Sequence, residues 1–431
     1  MSSDSKRGAE RVTGWICVAV IALTCLEFVV ATTGTLLRQT APAHTDVASY
    51  YMAGVFARER RSPYDSEALV ARSQELGLGQ STYPFLYPPP FAIAMQPLAA
   101  LPFETARRVW ILLTTVTLLG MLGATWRLVC ALSAELGITS PVPGWLVMAA
   151  FAPAAFNSAS VHADIRVGSV GVLFGACMAF IAWRSTAQAR PSPWVGLVLA
   201  LVVLAKTTPA VFIAWMAWRG SRRTAVWSLV WLGLAFVPAL WVWGPGIVGD
   251  WLGRGVLARL AVPSGWAHNQ SLNAALLRLF VPATLDAVAA QAPVAQQVLV
   301  CIGTAGIVVA TWRCLRIRSR PAALMPLECG LIVIALLIVT PLTWVCTMAA
   351  LLFVWPVQML VIYRAAEQEW KWAPHAAWAA CAGFFLSSAH LPVLWGTALH
   401  HGPWVALTTL PLAGMLVSYV TCIVLLRRAP R

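Results

Sequence analysis

The chain has 431 residues, of which 59% are hydrophobic and only 11% are charged. Soluble globular proteins carry about 25% charged residues, so this composition excludes a soluble enzyme and a disordered chain. The formal net charge is +14, but the basic residues stand mainly at the ends of long apolar runs. That distribution is typical of membrane proteins and does not indicate nucleic-acid binding. The sequence therefore predicts an all-α polytopic integral membrane protein in contact with membrane lipids.

Apolar runs along the chain predict about twelve membrane-spanning helices, several of them close to the lower limit of about 17 residues for a full span. In chain order they are approximately Trp15–Leu37, Val109–Leu132, Pro143–Ser160, Val167–Trp183, Trp194–Leu204, Pro209–Trp218, Ala225–Trp243, Val298–Trp312, Leu327–Val339, Val345–Tyr363, Ala376–Ser388 and Leu407–Leu426.

The loop charges predict the orientation of these helices. With a cytoplasmic N-terminus, every cytoplasmic connection carries arginine or lysine, whereas the outer connections Thr340–Trp344 and Leu391–Trp404 carry neither. This arrangement follows the positive-inside rule. We therefore expect a multi-pass protein of the cytoplasmic membrane with both termini in the cytoplasm.

The whole chain, residues 1–431, is expected to form a single membrane domain with two long segments that face outward. The first long segment comprises residues 38–108 and the second comprises residues 244–293. Within the first, Tyr50–Arg61 and Ser66–Leu76 are predicted to be helices lying at the membrane surface, because they have helical apolar spacing but are too short and charged to span.

Two features of the first long segment have more than one interpretation. Asp46 stands directly before the predicted amphipathic helix, where an aspartate commonly serves as an N-cap. Pro88, Pro89 and Pro90 cannot occupy a helix interior, so they predict an extended stretch at the membrane surface. That stretch either ends the loop or forms a rigid turn that faces a substrate.

A series of short motifs resembles glycosyltransferase family 87, a group within the GT-C superfamily of transferases that use polyprenyl-phosphate sugars. The motifs, in chain order, are Asp46 followed by Tyr50-Tyr51, Pro63-Tyr64-Asp65, Tyr87-Pro88-Pro89, Pro97-Leu98, Leu101-Pro102, Trp110, Lys206-Thr207-Thr208-Pro209, Asn269-Gln270-Ser271-Leu272 and Pro341-Leu342-Thr343-Trp344. The chain departs from the family pattern in two places. Gly168-Ser169-Val170-Gly171 replaces a Gly-Gln element followed by asparagine, and Val345-Cys346-Thr347 replaces a segment that contains histidine.

The resemblance implies an inverting GT-C hexosyltransferase, with mannose as the expected sugar. Such an enzyme moves the sugar from a polyprenyl-phosphate donor to a lipid or glycan acceptor on the outer face of the membrane, and no cofactor or metal is expected. The superfamily places its catalytic carboxylate at the outer end of the first helix, which is the position of Asp46. Partial burial there would raise the pKa of a carboxylate and suit it to act as a general base.

Other residues are candidates for binding the substrates. Lys206 is one of only three lysines and lies between two apolar runs, where it either faces the donor phosphate or extends to the membrane surface. The further candidates are His44, Tyr50, Tyr64, Tyr87, His268, Asn269, Gln270 and Trp344. Asn269 could equally be the N-cap of a following helix.

Alternative functions remain open at this stage. A lipid or solute transporter, or flippase, would fit a polytopic protein, but matching pairs of broken helices are not visible in the sequence. A non-catalytic, divergent family member would fit the two departures. His162 and Asp164 are expected in a short solvated loop in preference to a metal site, since two isolated groups are too few ligands for a hard cation.

Overall fold

The computed structural model describes residues 3–37, 46–78, 84–187, 192–257, 264–280, 292–317, 320–388 and 407–428. Helices make up most of these residues, and the same ranges contain no β-strand beyond an isolated antiparallel bridge between Asn269 and Trp344. The α-helices are α1 (Ser3–Leu37), α2 (Asp46–Arg58), α3 (Ser66–Glu75), α4 (Pro89–Ala94), α5 (Phe103–Glu135), α6 (Val142–Phe156), α7 (Ala159–Val167), α8 (Gly171–Ala187), α9 (Pro193–Ala205), α10 (Val211–Trp218), α11 (Arg222–Trp243), α12 (Gly246–Asp250), α13 (Leu272–Phe280), α14 (Val294–Leu315), α15 (Met325–Val339), α16 (Val354–Glu367), α17 (Ala373–Ser388) and α18 (Leu410–Arg428). Shorter 3-10 helices include Leu98–Ala100, Thr208–Ala210, Ala322–Leu324 and Val345–Leu351, and Trp251–Leu257 is a π-helix.

Seven of the described helices are long and apolar enough to cross a membrane. They are Arg11–Gly34, Phe103–Glu135, Arg222–Trp243, Val294–Leu315, Ala322–Val339, Val345–Glu367 and Leu407–Arg428. The pair of α6 and α7 forms an eighth candidate, and Gly171–Thr186, Pro193–Ala205 and Thr208–Trp218 are shorter apolar helices. The prediction of an all-α polytopic membrane protein is therefore confirmed, while the number of twelve spans stays a prediction.

The third predicted span, Pro143–Ser160, is not a straight helix in the structure. Helix α6 ends at Phe156, and α7 continues at an angle of 43° to it. The side chain of Asn157 donates to the carbonyl of Pro153 at 3.0 Å, while the Ser158 hydroxyl accepts a hydrogen bond from the backbone of Val161 at 3.3 Å and caps α7. These side chains satisfy the backbone at the break, as helix ends require.

Helices α2 and α3 confirm the two helices predicted in the first long segment, but α2 is not a surface helix with a single buried face. Ten of its thirteen residues are buried. A Cβ at Gly54 would lie only 2.6 Å from the carbonyl oxygen of Met95, so glycine lets the chain after α4 approach α2 closely. Tyr51 donates to the carbonyl of Leu101 at 2.9 Å and Arg58 to that of Ala99 at 2.7 Å. Helix α2 is thereby enclosed by protein.

The prediction of an extended stretch at the three prolines is wrong for two of them. Pro88 is extended, with φ −57° and ψ 152°, but Pro89 and Pro90 occupy the first positions of α4. Proline is tolerated there because the first amides of a helix have no intrahelical acceptor. The helix start also places Tyr87 immediately before a buried turn, facing α2.

A buried ion cluster joins α15 to two distant parts of the chain. Glu328 is fully buried and contacts Arg219 at 2.9 Å and Arg320 at 3.3 Å. Arg219 follows α10, and Arg320 precedes the 3-10 helix that leads into α15. Buried charges persist in proteins when they are paired, and this cluster fixes the relative positions of the helix ends.

Candidate active site

Asp46 is the first residue of α2, and its side chain is half-buried. The hydroxyl groups of Ser169 and Tyr50 lie close to its carboxylate, and together with the positive charge of Lys206 they favour its charged form. Burial raises the pKa of Asp46 above its ordinary value, because loss of hydration outweighs these three stabilising influences. A carboxylate with a raised pKa accepts a proton more readily than a solvated one, as general base catalysis requires.

Three tyrosines predicted to bind substrate lie together, and two of them, Tyr50 and Tyr87, lie close enough to Asp46 to be affected by its charge. The hydroxyl oxygens of Tyr50 and Tyr87 are 2.6 Å apart, and the Tyr64 hydroxyl donates to the carbonyl of Tyr87 at 2.7 Å. Burial raises the pKa of both Tyr50 and Tyr87 well above the ordinary value for tyrosine. The two hydroxyls therefore stay protonated. Tyr50 and Tyr64 are buried, whereas Tyr87 is partly exposed.

Lys206 follows the last residue of α9, and its ammonium group is directed toward the same cluster. Its Nζ donates a hydrogen bond to the Thr347 hydroxyl at 2.9 Å, and its charge acts on Asp46 and Asp164. Of the two interpretations of Lys206, this geometry favours a cation that faces a polar site. Thr347 lies 141 positions away in the chain, and no pattern in the sequence could have associated the two.

Asp164 was expected in a solvated loop, and that expectation is wrong. The residue is fully buried on α7. Its two carboxylate oxygens accept hydrogen bonds from the amides of Gly171 and Val172, both at 2.9 Å. Asp164 thus caps the N-terminus of α8, where free amides and the helix dipole favour a negative charge. His162, by contrast, is exposed.

Gly171 allows α8 to begin directly against the segment that carries Thr347. A Cβ at this position would overlap the carbonyl oxygen of Cys346 and lie 3.0 Å from the carboxylate of Asp164. Only a residue without a side chain permits this approach. The close packing brings the start of α8, the carboxylate on α7 and the 3-10 helix Val345–Leu351 together around Asp46.

Both departures from the family pattern lie at this place. Ser169 is buried, and its hydroxyl lies close to the Asp46 carboxylate and to the thiol of Cys346. The two residues are far apart in the sequence but adjacent in the fold. The departures are therefore one local change in the surroundings of Asp46.

Asn269 and Gln270 use their side chains to hold the backbone. The Asn269 amide donates to the carbonyl of Pro341 at 2.9 Å and accepts from the amide of Thr343 at 3.0 Å. Gln270 donates to the carbonyl of Thr408 at 2.9 Å. Both residues are fully buried, so in this structure they shape the segment before Trp344. Asn269 also accepts from the amide of Ser271 at 3.2 Å, directly before α13.

His268 and Trp344 remain accessible beside this buried pair. Both are partly exposed, and the Trp266 ring lies 5.1 Å from the His268 ring and 5.6 Å from the Trp344 ring. The amide of Val345 donates to the His268 carbonyl at 2.9 Å, which ties this aromatic group to the segment that reaches Asp46. Of the predicted site residues, His44 lies outside the described part of the chain.

The fold and the site define a polytopic membrane protein in which a carboxylate, a lysine and a group of tyrosines converge. The sequence model of glycosyltransferase family 87 matches residues 85–341, which is more than half of the chain, and the chain belongs to this family. The matched range includes Tyr87, Lys206 and Asn269, while Asp46 precedes it and Trp344 follows it. Neither curated proteins nor solved structures yield a match. Family membership implies a membrane glycosyltransferase.

Proposed function

We propose that the protein transfers a hexose, with mannose as the first candidate, from a polyprenyl-phosphate sugar to a hydroxyl of a lipid or glycan acceptor. The observation that carries this proposal is the convergence of Asp46, Lys206 and Asp164 beside the tyrosines. The site combines a carboxylate of raised pKa, a cation and hydrogen-bonding groups. Sugar transfer from a lipid phosphate needs a proton acceptor, positive charge for the leaving phosphate and groups that hold the sugar.

In the proposed reaction, Asp46 takes the proton of the acceptor hydroxyl as its oxygen attacks the anomeric carbon of the donor. The new carbon–oxygen bond forms on the face opposite the phosphate, and the old carbon–oxygen bond breaks with its electron pair going to the phosphate oxygen. The anomeric configuration is therefore inverted. Lys206 would stabilise the negative charge on the leaving polyprenyl phosphate, since a positioned cation is most effective where charge develops.

Asp164 has a different part in this proposal. Its carboxylate is fully buried and already accepts two backbone hydrogen bonds, so it is poorly placed to receive a further proton from a substrate. It balances the charge of Lys206 and keeps the start of α8 in position. The half-buried Trp344, Tyr87 and His268 are the groups through which the site can contact the sugar or the lipid phosphate.

We further propose that the protein has twelve spans, with both termini in the cytoplasm and the site on the outer side of the cytoplasmic membrane. The positive-inside pattern of the loops supports this orientation. A reporter enzyme that is active only outside the cytoplasm, fused after Arg431, should be silent. Activity of that reporter would contradict the proposed topology.

The function can be tested with radiolabelled polyprenyl-phosphate hexoses supplied to membranes that contain or lack the protein. The proposal expects label to pass from the donor into a larger glycolipid or glycan only when the protein is present. Movement of intact donor across the membrane without transfer would instead support a flippase. Absence of transfer from every hexose donor, with the protein correctly inserted, would refute the proposal.

A further inference from the structure

Arg278 is a buried cation on α13, within the second long segment. The residue is only 4% exposed, and its nitrogen Nη1 donates hydrogen bonds to the carbonyls of Asn269 at 2.8 Å and Trp266 at 3.0 Å. The other two nitrogens, Nε and Nη2, have no hydrogen-bond partner among the described residues. A buried donor that lacks an acceptor is costly, and more so on a charged group. These two atoms therefore point to a ligand.

The two unpaired nitrogens form one edge of the guanidinium group. Its covalent geometry directs one N–H of each in nearly the same direction, and this fork matches two oxygens of a carboxylate or a phosphate. Burial alone lowers the pKa of Arg278, to about 10. The group thus stays charged at neutral pH, and no carboxylate of the described residues compensates it. The missing partner is an oxyanion.

The surroundings of Arg278 favour a membrane lipid as the source of this oxyanion. Leu279 and Phe280 follow it directly, and both are exposed. Helix α13 packs on the candidate span α14 through a hydrogen bond between the side chains of Gln296 and Asn273, 2.7 Å long. Hardly any of the apolar stretch of α14 is covered by protein. Apolar side chains exposed on a helix beside a lipid-facing span lie at the level of the lipid headgroups.

The Arg278 edge is separate from the cluster assigned to the donor phosphate. The charges of Asp46, Asp164 and Lys206 act on one another, whereas none of them acts on Arg278.

We propose that the Nε–Nη2 edge of Arg278 binds the phosphate group of a membrane phospholipid, at a site distinct from that of the sugar donor. The bound lipid neutralises a guanidinium group that also holds the carbonyls of Trp266 and Asn269. The segment between these two residues carries His268, whose carbonyl accepts a hydrogen bond from Val345 at 2.9 Å. Phospholipid at Arg278 should therefore stabilise the protein and this segment beside the candidate active site.

The test measures lipid binding to the purified full-length protein in dodecyl maltoside, a detergent without phosphate. Two probes have the same acyl chains: dioleoyl phosphatidylglycerol carries a phosphate, and dioleoylglycerol does not. A ligand that binds the folded state raises the midpoint of thermal unfolding, so only the phospholipid should raise it. Native mass spectrometry of the protein with phosphatidylglycerol gives the affinity.

Three variants examine the part played by Arg278. Arg278→Gln removes the charge and the fork and should weaken phosphatidylglycerol binding by about 10- to 100-fold. Arg278→Lys keeps a charged donor for the carbonyls of Trp266 and Asn269 but has no fork, so it should fold and still bind the lipid more weakly. Arg254→Gln is the matched control, because Arg254 lies in the same long segment but is largely exposed. It should bind as the wild type does.

Weaker phosphatidylglycerol binding in both Arg278 variants, with the control unchanged, would support the proposal. Unchanged affinity in both would overturn it, as would equal stabilisation by dioleoylglycerol or by inorganic phosphate alone. Weaker binding of polyprenyl phosphate, with phosphatidylglycerol binding unchanged, would assign the edge to the donor and also overturn it.

Asp286→Asn tests whether the chain itself supplies the oxyanion. Asp286 is the nearest carboxylate in the sequence and lies outside the described residues. Unchanged phosphatidylglycerol affinity in this variant is expected. A gain in affinity would show that this carboxylate occupies the fork, which would contradict the proposal. None of these measurements needs hexose transfer, so they remain decisive even if the proposed function fails.

Discussion

Replacement of Lys206 by methionine tests how the site would stabilise the donor phosphate. Methionine has nearly the length of the lysine side chain but carries no charge and cannot donate a hydrogen bond. The change removes the hydrogen bond from Nζ to Thr347, 2.9 Å long, and the positive charge that acts on Asp46 and Asp164. We therefore expect effects on both the donor and the base.

The size of the first effect follows from the strength of a charged hydrogen bond. Such bonds contribute about 1.5–3 kcal/mol, and each 1.36 kcal/mol is a factor of ten. Lys206→Met should consequently weaken binding of the polyprenyl-phosphate donor by roughly 10- to 150-fold. Lys206→Arg retains the positive charge and should weaken donor binding less than Lys206→Met does.

The second effect is a change in the pH dependence. Lys206 lowers the pKa of Asp46 through its charge, so the variant should have an Asp46 pKa still higher than in the wild type. The base works only when deprotonated. The acidic limb of the transfer rate should therefore move to higher pH, and part of the lost activity should return as the pH is raised.

The assay is donor binding to the purified protein in detergent or nanodiscs, together with transfer rates across pH. Lys371→Met is the matched control because Lys371 is exposed between α16 and α17. It should behave as the wild type does. Unchanged donor affinity and an unchanged pH profile in Lys206→Met would show that Lys206 does not face the donor phosphate. The proposed site would then contain no cation to stabilise the leaving phosphate.

Three further results are expected. Gly171→Ala should slow transfer and lower the midpoint of thermal unfolding, because its Cβ overlaps the carbonyl of Cys346; Gly123→Ala, where a Cβ meets nothing within 4 Å, should do neither. Glu328→Ala should lower the midpoint of thermal unfolding, measured by tryptophan fluorescence, since loss of one partner from a buried ion pair costs about 3–5 kcal/mol. The control Glu367→Ala removes a partly exposed ion pair and should change the midpoint little. Wild-type transfer should fall as the pH decreases through the raised pKa of Asp46, and a rate that rises toward acid pH would contradict a carboxylate base.

The sequence predicted best those features that depend on composition and on the spacing of apolar residues. Apolar runs and flanking charges predicted a helical membrane protein, and helical spacing predicted α2 and α3. The same spacing did not predict that α2 is buried on most sides, because periodicity describes a helix and not what packs over it. The approach of Met95 to Gly54, which encloses α2, depends on the fold of a neighbouring segment.

Predictions made from neighbouring residues in the sequence were partly wrong for the three prolines and wrong for Asp164. Proline excludes a helix interior but not a helix start, and Pro89 and Pro90 begin α4. Asp164 was expected to be solvated because it follows the third predicted span in a short connection, yet its carboxylate is buried against the amides at the start of α8. Isolation of a residue in the sequence does not determine its exposure in the fold.

Long-range contacts account for the remaining part of the candidate site. Asp46, Tyr50, Tyr87 and Lys206 were all candidates from the sequence, and the structure brings them together. Ser169 was noticed only as a departure from the family pattern, and nothing indicated that it would contact both Asp46 and Cys346. Such contacts follow from helix packing, which a single sequence does not specify.

The most direct measurement is the rate of hexose transfer by Asp46→Asn, compared with its donor binding. Asparagine has the size of aspartate and its side-chain oxygen can still accept a hydrogen bond, but it cannot remove a proton. Proton abstraction by a positioned base contributes typically 10²–10⁴-fold to a rate. We therefore expect a variant that inserts and binds donor as the wild type does, yet transfers sugar at least about 100-fold more slowly. Turnover near the wild-type rate would contradict the assignment of Asp46 as the base.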